Sequence, residues 1–367
     1  VFGQPTLTFP GTITVPSVTQ DGADTDQFTQ ELRLASDTDG AFSWQAGFFY
    51  FNSSLEVETD SFASFGFGGP PQNTIVKHTN DAWAVFGQGS YDLSDQFTLS
   101  AGLRYTDDKR DFRVLQYGQL WLDLGIPPVD KIDVSADKVS WDVTADYAIN
   151  EDSNIYARIA SGFRAQSIQG RDIAFLEYPT VAKPETIISY EIGYKADLLE
   201  DRLRLNTSVF YYNVDDMQLS IIGGASNTNQ VINADKGTAT GWEIDLQWLL
   251  TENVVATFGY AYNHTEIKDE GLSVAPCGST LCEAYQWRDE NGQVSIDGNP
   301  FPRTPRTNYV FTLRYGTPVG DDGELFFYTD WVYYGRTQMA LYYTPEFQTS
   351  AQYEGGLRIG YINYRNN

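Results

Sequence analysis

Apolar and polar residues alternate strictly through two adjoining stretches of the chain. From Ile188 to Ala196 every second residue is apolar or aromatic (Ile188, Tyr190, Ile192, Tyr194, Ala196), with Ser189, Glu191, Gly193 and Lys195 between them. After Leu198-Leu199-Glu200-Asp201 the alternation resumes. Leu203, Leu205, Thr207, Val209 and Tyr211 take one phase, and Arg204, Asn206, Ser208, Phe210 and Tyr212 the other. Period two marks a β-strand with unlike faces, and two such runs across a short acidic turn predict a β-hairpin. A strand of a soluble sandwich needs only about five or six residues. These runs last roughly ten, the length of a tilted strand that crosses a bilayer with lipid on one face and a watery interior on the other. A long soluble hairpin is the competing reading, and it weakens as the pattern recurs.

Similar runs fall at 28–35, 42–51, 83–91, 97–105, 139–149, 155–165, 241–250, 254–263, 309–315, 325–333 and 353–361, thirteen strands with the hairpin. Residues 1–25 read as loop, and long connections are expected near 60–74, 108–136, 166–184, 220–230 and 265–303, every other connection being short. Short turns at one end and long loops at the other predict an all-β fold, an antiparallel up-and-down barrel of the outer membrane. No repeat of blade length supports a propeller. Trp83, Trp141, Trp242, Trp248 and Trp331 share the apolar phase, where interfacial aromatic girdles lie. An odd strand count leaves open edges, which predicts that both ends of the barrel are missing.

Composition narrows the class. The 367 residues have a mean hydropathy of −0.36 and no apolar run near the roughly 18 residues of a membrane helix. Forty-nine acids against 24 bases give a net charge of −25, which argues against nucleic acid as a partner. The chain opens on a turn-rich segment without a signal peptide, so either the numbering begins late or the sequence is a fragment. Cys277 and Cys282 lie in one connection, where a disulfide would staple a small loop. A metal site is the rival reading, without a histidine or third cysteine nearby. No metal or cofactor is expected. His78 and His264 lack partners at ligand spacing, and there is neither a nucleophile elbow nor a phosphate loop, so the sequence gives no support to an enzyme.

Six segments, in order, resemble one known family: FTQELRLAS (28–36), AVFGQGSYDLSDQFTLSAGLRYTDDKRDF (84–112), YARIASGFRAQSIQGR (156–171), KPETIISYEIGYKADLLEDRLRLNTSVFYYNVDDMQL (183–219), NADKGTATGWEIDLQW (233–248) and RTPRTNYVFTLRY (303–315). Together they resemble the barrel of the TonB-dependent outer-membrane receptors of Gram-negative cells. The resemblance implies that residues 1–367 are a partial barrel domain, about 13 strands of a 22-stranded barrel, with 1–25 as an extracellular loop. It also implies an absent plug domain and active import of a scarce nutrient, foremost a ferric siderophore. TonB, with ExbB and ExbD, would act through the absent N-terminal part, and lipid and lipopolysaccharide would surround the wall. A receptor for sugar, cobalamin or another small organic compound, a passive porin, and an outer-membrane enzyme or adhesin are the rivals.

On the polar phase, Arg104, Tyr156, Arg158, Arg164, Glu191, Lys195, Arg204, Glu243 and Asp245, with Gln88, are expected to line the lumen, either as a salt-bridged wall that holds the plug or in contact with ligand. Gly162, Gly193 and Gly259 on that phase are expected to leave room for the plug. The resemblance makes Arg171, Tyr211, Tyr212, Tyr262, His264, Trp287 and Tyr334 candidates for ligand contact by position alone. The Phe62, Phe65 and Phe67 loop reads as a flap over ligand or as a lipid-touching loop.

Overall fold

The computed structural model describes residues 19–37, 40–61, 72–223, 228–277 and 286–364. Thirteen strands form one antiparallel meander in which each pairs with its neighbours in sequence. They are β1 (Thr19–Ala35), β2 (Phe42–Ser61), β3 (Gln72–Ser94), β4 (Phe97–Gln116), β5 (Ile132–Asn150), β6 (Ser153–Arg164), β7 (Glu185–Leu198), β8 (Leu203–Gly223), β9 (Thr228–Thr251), β10 (Val254–Lys268), β11 (Thr307–Pro318), β12 (Gly323–Tyr334) and β13 (Gln352–Asn363). Connections at one end have two to six residues, and those at the other reach thirty-eight. The hairpin of β7 and β8 pairs Ile192 with Val209 and Glu191 with Phe210, so period two in sequence becomes two faces in space.

The faces are of opposite character. Leu103, Ile192 and Val209 are each more than half exposed on the apolar face (60%, 53% and 55%), part of a greasy surface continuous across the sheet. Water does not tolerate a patch of that size, whereas a bilayer requires it. Aromatic pairs edge this face away from the short turns: Phe28 with Tyr50, Trp83 with Tyr105, Tyr190 with Tyr211, Trp242 with Tyr260, Tyr309 with Tyr333, and Tyr333 with Tyr353, at 4.6–6.3 Å between ring centroids. This is the interfacial girdle, where ring bodies sit in hydrocarbon and polar tips meet headgroups.

Beyond the girdle the strands run on, and here the structure departs from the sequence reading. Residues 19–25 are strand rather than loop, and the expected connections near 60–74, 108–136 and 220–230 shrink because β2, β3, β4, β5, β8 and β9 extend into them. The cause is visible in Asp107-Asp108-Lys109-Arg110-Asp111, a run with no apolar phase. As strand it resolves into two ladders of alternating sign. Lys109 pairs with Asp107 at 3.4 Å and Arg113 with Asp111 at 2.9 Å on one face, and Arg110 pairs with Asp108 at 2.8 Å on the other. Outside the membrane neither face must be apolar, so hydrophobic periodicity is silent there.

Two small cores lie among the long connections. Val76, Phe112, Trp121 and Ile173 form one, where the connections 117–131 and 165–184 meet β3 and β4. The other joins Leu219, Ile221 and Ile267 of the extended strands to Val274, Val294, Ile296, Phe301, Leu341 and Tyr342 of the connections 269–306 and 335–351.

The register assigns each side chain a solvent, and this is directly testable. Leu205→Arg places a charge on lipid near the midplane, with an expected cost of about 2–4 kcal/mol and loss of assembled barrel, scored by heat-modifiable mobility in gels, and Ile192→Arg, one repeat below the girdle, is expected to cost less. Ser208→Arg on the opposite face is expected to assemble normally. Equal loss from both classes would reverse the assignment of faces.

Candidate functional site: the inner wall of the barrel

The polar residues singled out in the sequence all fall on the inner phase. Arg158 stands opposite Glu191, Tyr156 opposite Gly193, and Arg164 opposite Glu185 across β6 and β7. Arg204 and Gln247 are partners across β8 and β9, as are Asn206 and Asp245, and Ser208 and Glu243.

They do not form one salt-bridged lattice. Arg204 makes a two-pronged contact with Asp197, at 2.7 and 3.1 Å, and Arg164 lies 3.6 Å from Glu185. Glu191 instead accepts the Tyr156 hydroxyl at 2.6 Å, and the Lys195 ammonium sits 5.3 Å from the centre of the same ring. Arg104 lies over Phe49 and Phe86, at 5.1 and 5.5 Å, and donates to Thr106 at 3.1 Å. Each such cation–π contact is worth about 0.5–1 kcal/mol at an exposed site. Among the described residues, Arg104, Arg158 and Lys195 have no carboxylate at ion-pair distance, and neither Glu243 nor Asp245 has a cation.

Four of these charges line two separate grooves. One, of about 480 Å³, brings Arg104 and Arg158 together with Gln45, Gln88, Ser140 and Asp142. The other, of about 320 Å³, is bounded by Glu243, Asp245, Asn308 and Tyr334. Asp142 was overlooked in the sequence, although it stands between the outward Trp141 and Val143 and its inward phase was legible. Among the described residues no cluster of His, Cys, Asp and Glu is arranged to hold a metal ion.

Gly193 has a use other than leaving room for a plug. A Cβ there would lie 2.3–2.5 Å from the Tyr156 ring, which crosses the strand over this glycine to reach Glu191. The aromatic ring covers backbone that the missing side chain exposes.

The candidate ligand contacts divide. Tyr211 stacks on Tyr190 in the lipid-facing girdle, Tyr262 pairs with Trp242 on the same outward phase, and His264 lies opposite Thr240 with its ring 3.1 Å from Arg306. Tyr212 and Tyr334 face inward. Arg171 begins a short 3-10 turn in the connection 165–184, lying 3.9 Å from Asp172 and over the Phe175 ring. Trp287 is 88% exposed in the connection 269–306. Position along the chain placed all seven near the mouth, but the odd-even phase separates them. The Phe62, Phe65 and Phe67 loop lies outside the described residues.

Cys277 is disulfide-bonded, and Cys282 lies outside the described residues. The Cys277 amide donates to the Tyr342 hydroxyl at 2.9 Å, and Asn299 donates to the Leu341 carbonyl at 2.7 Å, so the described parts of the connections 269–306 and 335–351 are tied together.

A meandering sheet with lipid on one face, charge on the other and long connections at one end defines a β-barrel of the outer membrane. The chain belongs to the TonB dependent receptor-like β-barrel family, whose model matches residues 2–365. The Pesticin receptor of Yersinia enterocolitica (serotype O:8 / biotype 1B) is 29% identical over 173 residues, covering 46% of this chain and 24% of that protein. The Pesticin receptor of Yersinia pestis is 28% identical over the same length. The chain thus spans about a quarter of the curated relatives it matches. The crystal structure of the ferric yersiniabactin uptake receptor FyuA from Yersinia pestis has the same fold, with a TM-score of 0.73 at 18% identity over 95% of this chain and 48% of that one. The siderophore receptor PiuA from Acinetobacter baumannii gives 0.66 at 15% identity, over 95% and 50%.

Two outcomes test the site. Gly193→Leu is expected to push the Tyr156 ring off its strand and break the bond to Glu191, destabilising the barrel by about 1–3 kcal/mol in urea midpoints. Tyr156→Phe keeps the ring and should lose only the hydrogen bond, about 1 kcal/mol. Separately, peptide mass mapping without reductant is expected to show Cys277 joined to Cys282; two alkylatable thiols would refute the staple.

Proposed function

We propose that this chain is part of the barrel of an active importer, which takes up a scarce nutrient, foremost a ferric siderophore, with energy delivered through TonB. Residues 1–367 are then a partial barrel domain, completed by further strands along the open edges of β1 and β13 and by a plug inside. The reading draws on the family and on its relatives, which include the ferric yersiniabactin and siderophore receptors and the ferric citrate transporter FecA.

The observation that carries it is the set of inward charges that, among the described residues, have no ion-pair partner. Charges covered by an inserted domain are tolerated only when that domain supplies opposite charges and hydrogen bonds. Arg104, Arg158 and Lys195 on one part of the wall, and Glu243 and Asp245 on another, therefore fix how a plug sits and close the lumen to free diffusion. In a passive porin the same groups would simply be hydrated.

Energy dependence separates the two. Cells making the complete receptor are expected to accumulate the ferric chelate only when TonB is present and the inner membrane is energised, and the pure protein should conduct little in a planar bilayer. Uptake that persists without TonB, or a large steady conductance, would favour the porin. Uptake of another nutrient under the same energy dependence would keep the mechanism and change the cargo.

A further inference from the structure

The connection 165–184 is a strap whose two sides are held by different chemistry. Toward β8 and β9 it is hydrogen-bonded. Gln218 donates to the carbonyls of Ala165 and Lys183 at 2.8 Å each and accepts from Ser167 at 2.6 Å. The buried Asp172 carboxylate accepts from the backbone and side-chain amides of Asn229, and Thr180 accepts the Val231 amide at 2.8 Å. Toward β3 and β4 the contact is mainly apolar: Ile168, Ile173 and Leu176 pack with Val76 and Phe112, Gly170 lies so close to the Phe112 ring that a Cβ would meet it at 2.3 Å, and one exposed hydrogen bond, from the Tyr178 hydroxyl to the Pro127 carbonyl at 3.0 Å, reaches the connection 117–131.

A histidine stands at the apolar seam, in a pocket that Arg110 and Asp111 also line. The His78 ring is 4.8 Å from the Phe112 ring, and with Ser53, Leu55, Ser167 and Ile168 it bounds a pocket of about 300 Å³. On β3, Trp83 marks the girdle, and His78 lies beyond it, outside the membrane.

We propose that His78 is a proton-operated latch: its protonation releases the strap from β3 and β4 while the hydrogen-bonded side on β8 and β9 holds, so the mouth of the barrel opens on one side.

The surroundings offer an imidazolium little compensation. From β4 it faces Arg110, a like charge held by Asp108 at 2.8 Å, and Asp111, which already accepts from Thr79 and Arg113 and lies 4.0 Å from Lys131. From β2 it faces Ser53 and Leu55, and from the strap Ser167 and Ile168, none of them charged. Burial holds the imidazole below its ordinary 6.5, against the pull of Asp111. The open form takes a proton more readily than the closed one. The closed strap is therefore fully stable above pH 6.5 and loses stability as pH falls from there toward the depressed value. The polar side contains no histidine and keeps its bonds, which makes the motion a hinge rather than an unfolding.

Hydrogen exchange of the intact receptor in detergent, read by mass spectrometry at about pH 7.5 and about pH 5 and corrected for intrinsic rates, tests this. Exchange in residues 166–176 is expected to rise roughly tenfold at the lower pH, while the amides of Asn229 and Val231 stay protected. His78→Phe should keep the strap protected at both pH values, and His78→Arg should expose it at the higher one. If the phenylalanine variant does not assemble, His78→Gln provides the same uncharged comparison. Unchanged exchange in the wild type, or a pH response that survives in the uncharged variant, overturns the latch.

Discussion

A strand in lipid has no water to satisfy its amides and carbonyls, and every other feature follows from that. The backbone must bond sideways to a neighbour, so the chain advances as a meander of adjacent antiparallel strands. Once the ladder is fixed, side chains alternate between two solvents, and a single residue's slip would put Glu191 in hydrocarbon and Ile192 in the lumen. The register is therefore held by both faces at once, by the girdle outside and by cross-strand contacts such as Tyr156 with Glu191 inside.

This constraint also explains what could be read from the sequence. Within the membrane, period two is compulsory, and it located all thirteen strands and the phase of every inward candidate from Arg104 to Asp245. Beyond the girdle the compulsion lapses, so the extensions of β3 and β4 were hidden in charged runs that look like loop. The packing of connections was not legible either. Gln218 and Asp172 anchor the strap through partners 35 to 57 residues away in sequence, and nothing local marks them. His78 was set aside for want of metal-ligand spacing, although its place against Phe112 and the strap is a matter of fold.

Phase also corrects position. Tyr211 and Tyr212 are neighbours in sequence and were indistinguishable as ligand contacts, yet one belongs to the girdle and the other packs beside the core of the second pair of connections. Nearness to the mouth is a property of a segment, whereas access to the interior belongs to a single residue. The inner wall accordingly reduces to a few charged sectors separated by aromatic rings and small residues, and those sectors decide what surface can rest against it.

The strand extensions set how far this protein reaches from the cell. On β3, Thr74 lies nine residues along the chain from Trp83, which at about 3.3 Å per residue and a tilt near 45° carries the sheet roughly 20 Å past the girdle. At that height the two cores of connecting segments stand well clear of the membrane surface rather than at its edge. A large object approaching the surface, such as a phage tail or an antibody, would meet these packed knobs well before it met lipid.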